Sequence, residues 1–84
     1  MSASLDVATQ VGDLVFSSAK HGGGIIGPAS GEDVRYLLNV DSSNTLNNSA
    51  GATKLATGAL TTMSWTFFDT DELQLIDTVL RPAP

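Results

Sequence analysis

The chain has 84 residues, of which 9 are acidic and 4 basic, for a formal net charge of −5, and it contains no cysteine. That length gives one domain and is too short for a dinucleotide-binding domain or a β/α barrel. The lack of thiols excludes a disulfide scaffold and any cysteine-bearing zinc site.

Residues 1–4 read as a flexible arm. Leu5, Val7 and Val11 then recur on one side of an extended segment, with Thr9 in the gap. That is period two, a strand. Gly12-Asp13 separates this run from Leu14-Val15-Phe16. A glycine-containing pair between two such runs predicts a two-residue hairpin turn. From Lys20 to Gly31 the sequence predicts a long glycine-rich loop, built on Gly22-Gly23-Gly24 and holding Ile25 and Ile26. Such a loop is either flexible or pressed against something that admits no side chain.

Residues 33–41 form the clearest strand. Val34, Tyr36, Leu38 and Val40 alternate with Arg35, Leu37, Asn39 and Asp41, as expected of an antiparallel sheet packed on one side. Residues 42–59, rich in Ser, Asn, Gly and Ala, read as irregular. Residues 60–68 are a strand by residue type, with Met63, Trp65 and Phe67 on one face and Leu60 and Phe68 on the other. Residues 69–72 read as a turn. Residues 73–80 fit a strand that completes a hairpin with 60–68. They also fit a helix, with Asp69 and Glu72 at capping-box spacing; the surrounding period of two favours the strand. Residues 81–84 read as a flexible tail. The sum is an all-β domain, a small antiparallel β-barrel or sandwich of five to six short strands with flexible termini.

Several motifs carry chemistry only by their letters. Gly22 to Gly27 match a dinucleotide fingerprint, but Pro28 and the short chain leave no helix to hold a pyrophosphate. His21-Gly22-Gly23-Gly24 matches an oxyanion loop, yet the nearest approach to a nucleophile elbow, around Ser49, lacks its first glycine. Asp69, Asp71 and Glu72 could ligate a hard cation; a solvated turn is the simpler reading. No nucleophile–base pair or metal set can be assembled, so the sequence predicts neither an enzyme nor a cofactor. Lys20, Arg35, Lys54 and Arg81 are scattered, which argues against nucleic acid. No apolar run is long enough to span a membrane as a helix. The start of the chain has no basic, apolar leader, so synthesis in the cytoplasm is expected.

The size sets a further constraint. Apolar burial for a chain this long contributes about 120 kcal/mol, while ordering it costs about 125 kcal/mol. A lone monomer is therefore marginal, and oligomerisation or docking is the remaining common support. Apolar side chains on both faces agree with that: Leu5, Val7, Ile25, Ile26, Trp65, Phe67 and Phe68 are the candidate interface residues.

Small size, few charges, a Ser/Thr/Gly/Ala-rich surface and apolar anchors on both faces together resemble the capsid decoration, or cement, proteins of tailed phages. The resemblance rests on the character of the whole chain and on no single motif. It implies a homo-oligomer, a trimer being favoured, that docks on a virion surface and clamps a major capsid protein. The N-terminal arm and the Ile25–Ile26 loop would then be the docking elements. The alternative is a small acidic module or inhibitor that blocks a basic protein partner, which the net charge of −5 would help by steering.

Overall fold

A computed structural model of the chain describes residues 2–28, 31–38, 48–68 and 73–82. These contain seven strands and no helix: β1 (Ser2–Ala8), β2 (Leu14–His21), β3 (Ile25–Pro28), β4 (Asp33–Leu38), β5 (Asn48–Leu55), β6 (Leu60–Phe67) and β7 (Leu73–Leu80). All pairings are antiparallel. They build a three-stranded sheet in the order β1-β6-β3 and a four-stranded sheet in the order β4-β5-β2-β7. The all-β class follows the sequence, and the two sheets do not close into a barrel.

The core lies between the sheets. Ile25, Trp65 and Phe67 from the three-stranded sheet pack on Ala19, Ala50 and Ala52 from the other, with Ala3, Leu73 and Leu75 at the margin. One layer thus supplies large side chains and the other small ones. That division explains β5. Its Ala-Gly-Ala centre has low strand propensity and was expected to be irregular, but Ala50 and Ala52 are fully buried. Small side chains there make room for the Trp65 and Phe67 rings, so packing outweighs propensity.

Both predicted hairpins are wrong. Residues on either side of Gly12-Asp13 belong to different sheets, because β1 pairs with β6 while β2 pairs with β5 and β7. The segment between is a crossover. It closes as a turn in which Asp13 N donates to Gln10 O at 3.0 Å and Gln10 N donates to Asp13 Oδ2 at 2.8 Å. β7 is the expected strand, but it lies on β2 and not on β6. An alternating pattern reports which face is buried and is silent about which strand lies alongside.

Three further expectations change. Ser2–Ser4 pair with Ser64–Thr66 and form no free arm. The glycine-rich loop is shorter than expected: β2 runs to His21, and Ile25–Pro28 pair with β6 through a bulge between Ile25 and Gly27. The alternation along β4 is also broken. A bulge between Val34 and Tyr36 pairs Val34 with Ala52 on the core side and Tyr36 with Gly51 on the outside, so these two do not share a face. The 69–72 turn, with Asp69, Asp71 and Glu72, lies outside the described residues, as do 39–47 and 83–84.

Candidate functional site

The two sheets present very different outer faces. On the three-stranded sheet, the residues opposite the core side are mostly short and polar: Ser2, Ser4 and Asp6 on β1 stand opposite Thr66, Ser64 and Thr62 on β6. Thr62 Oγ1 donates to Asp6 Oδ1 at 2.6 Å. The four-stranded sheet carries large apolar side chains outside, set among Ser18, Lys20, Ser49, Thr53, Gln74 and Thr78. Val15, Ser17, Ala19 and His21 of β2 are buried, so Leu14, Phe16, Ser18 and Lys20 turn outward.

The ladder then fixes their neighbours. Leu14 sits between Leu55 on β5 and Leu80 on β7, and these flanking leucines are 64% and 54% exposed. Ile76, beside Ser18, is 61% exposed. The Phe16 and Tyr36 rings lie over Gly51, where any Cβ would meet both. Leu38, opposite Ser49, continues the surface toward the β4 edge. Arg35 Nε donates to Thr53 Oγ1 at 2.9 Å, tying the bulge of β4 to this same face. Several large apolar side chains exposed on one face of a small domain are a usual mark of an interaction site.

The residues singled out from the sequence divide into three groups. Ile25, Trp65 and Phe67 are buried in the core, where the folded chain leaves a partner nothing to touch. Leu5 and Val7 stand opposite Met63 and Thr61 on the core side of β1 and are only partly covered. Ile26 and Phe68 are exposed at one end of the three-stranded sheet. There Phe68 N donates to Gly24 O at 3.1 Å, and the ring lies where a Cβ on Gly24 would stand. The larger outer surface, made of Leu14, Phe16, Tyr36, Leu38, Leu55, Ile76 and Leu80, was missed. Its signal is present as apolar doublets, Leu14-Val15, Leu75-Ile76 and Val79-Leu80. Adjacent residues of a strand face opposite ways, so a doublet means apolar side chains on both faces.

Titratable groups are held between and around the sheets. Asp77 faces the interior beside Ser17. Burial pushes its carboxyl up, and the Ser17 hydroxyl draws it partly back, although neither oxygen reaches full hydrogen-bond geometry. Glu32 also rises through burial. Its Oε2 accepts from Ser64 N at 3.0 Å. Asp13 is held below the usual carboxylate range, first by its hydrogen bonds with Arg81 and then by Gln10 N. Arg81 reaches Asp13 through Nε at 3.2 Å and Nη2 at 3.0 Å. His21 is fully buried and stacks on Phe67 at 4.3 Å, with neither ring nitrogen hydrogen-bonded. Among the described residues no three His, Asp or Glu side chains converge as metal ligands would. Comparison of the chain with protein-family models, with curated proteins and with solved structures found no match.

Proposed function

We propose that this chain is a structural interaction protein, a small two-sheet sandwich of the decoration or cement type that docks on and stabilises a larger assembly such as a phage capsid. The observation that carries this reading is the contrast between the outer faces. One is mostly Ser/Thr along β1 and β6, with Leu60, Ile26 and Phe68 exposed toward its ends; the other exposes Leu55, Ile76, Leu80 and Leu38 around a Phe16–Tyr36 pair. Leaving that apolar area in water costs a marginal domain stability it would recover on docking. The acidic-inhibitor reading gains little from this surface, whose charged side chains include Lys20 and Arg35.

The test is where the protein resides. Particles from the source are banded on a density gradient and their proteins counted by mass spectrometry. A fixed copy number per particle for the wild type, lost in an L55E/L80E variant that still folds, supports the reading. A chain found only in the soluble fraction overturns it.

A further inference from the structure

A bulge re-aims the side chains of the strand that carries it. In β4, Val34 lies opposite Ala52 and Tyr36 opposite Gly51, so Arg35 is the extra residue between them, without a partner in the ladder. Its Nε donates to Thr53 Oγ1 at 2.9 Å, and Thr53 stands opposite Phe16 on the outer face. Regular alternation would send Arg35 and Tyr36 to opposite faces. The bulge instead turns both outward and sets a guanidinium near the Phe16–Tyr36 rings, on the face proposed above for docking.

This guanidinium is held at one corner and open at the other. Arg35 is exposed. No hydrogen bond joins its terminal amino groups to another described residue, and it makes no ion pair among the described residues. Even Asp33, opposite the same Thr53, makes none with it. Of the other cations, Arg81 is bonded to Asp13, and Lys54 lies opposite the buried Val15 on the core side. Arg35 and Lys20 are the two that stand outward without an ion pair, and both lie on this one face of a chain whose net charge is −5.

We propose that Arg35 is the anchor that receives a carboxylate of the docked protein, with Tyr36 and Phe16 packing on the apolar residues around that carboxylate. The inference rests on the docking reading above and names the chemistry of the partner: an apolar protein surface that carries an acidic side chain. A guanidinium binds a carboxylate through two parallel hydrogen bonds. Fixing Nε beforehand leaves the fork less freedom to lose on binding. Arg and Tyr side by side are also what the centres of protein interfaces favour. A nucleic-acid backbone or an anionic lipid surface fits less well. Each presents a row or field of negative charges, and the face meets it with Lys20 and Arg35 alone, with Asp33 on the same face.

The test titrates wild type and variants onto particles of the source that have been stripped of the chain. Arg35→Gln is expected to bind about ten-fold or more weakly than wild type, with its sheet circular dichroism unchanged because the side chain is exposed. Arg35→Lys keeps the charge but not the fork, and recovers only part of that loss. Thr53→Val leaves the guanidinium in place without its tether, and weakens binding by a smaller factor than Arg35→Gln. Wild-type affinity for Arg35→Gln, or full recovery with Arg35→Lys, overturns the proposal. So does Arg35-dependent binding to phosphatidylserine vesicles or duplex DNA in place of the particle, or a dimer in light scattering that Arg35→Gln dissociates. The two readings fail separately. If L55E/L80E leaves the particle and Arg35→Gln does not, docking stands and the anchor falls. If wild type never binds the particle, both fall.

Discussion

Trp65 Nε1 donates to Ser17 Oγ at 2.9 Å, joining the centre of β6 to the centre of β2 through the interior. Both residues are fully buried, so this bond has no water to replace it. An indole N–H left without an acceptor in such a place costs about 1–3 kcal/mol. Ser17→Ala is expected to lose that much in urea unfolding. In a Trp65→Phe background, where no N–H remains, Ser17→Ala is expected to cost clearly less. Equal losses in the two backgrounds would show that Ser17 contributes through packing or through Asp77 beside it, and not through the bond to Trp65.

The pH dependence of stability has contributions of opposite sign, from Asp13 on one side and from Asp77 and Glu32 on the other. Asp13 is lowered by Arg81 and Gln10. Its contribution is present above the unfolded carboxylate pKa, about 3.9, and is lost as pH falls through its lower folded value. Asp77 is raised by burial. The folded state favours its protonated form, so stability falls as pH rises from the unfolded value to the folded one, and is level above that. Asp77→Asn is expected to raise the melting temperature at neutral pH and to flatten the decline on the alkaline side of pH 4. Arg81→Gln is expected to lower it at neutral pH, with the difference from wild type closing in acid below Asp13's folded value. A melting temperature for Asp77→Asn below that of wild type at pH 7 would mean that the charge is compensated in the fold.

The shared face of Met63, Trp65 and Phe67 was legible because their spacing matches the strand period. The strand at 73–80 was legible for the same reason of period. Pairing was not. Leu14–His21 and Leu73–Leu80 are far apart in sequence yet adjacent in the sheet, and nothing local in either segment names the other. β5 was hidden because Ala50, Gly51 and Ala52 are chosen by what packs on them, the Trp65 layer inside and two rings outside. The Val34/Tyr36 bulge was hidden because alternation continues unbroken in the sequence while the backbone slips by one residue. The candidate surface was misplaced for a related reason. Trp65, Phe67 and Ile25 stand among the candidate interface residues of the sequence as apolar anchors, but the second sheet covers them.

Gly51 supplies the most direct test of the outer face. A Cβ there would stand 2.9 Å from Phe16 Cζ and closer still to Tyr36 Cε1. Propensity alone favours alanine over glycine in a strand by roughly 0.5–1 kcal/mol. Steric conflict has the opposite sign, and overpacking typically costs about 1–3 kcal/mol. Gly51→Ala is therefore expected to destabilise the chain, and the double variant decides the cause. With Tyr36→Ala removing one ring, Gly51→Ala is expected to cost at least about 0.5 kcal/mol less than in wild type, since residues in contact couple by that much or more. Strict additivity, or a gain from Gly51→Ala alone, would mean that the rings do not rest on this glycine. The aromatic pair would then be free to turn into the solvent, and the apolar surface at the middle of the sheet would have to be redrawn around Leu55, Leu14 and Leu80.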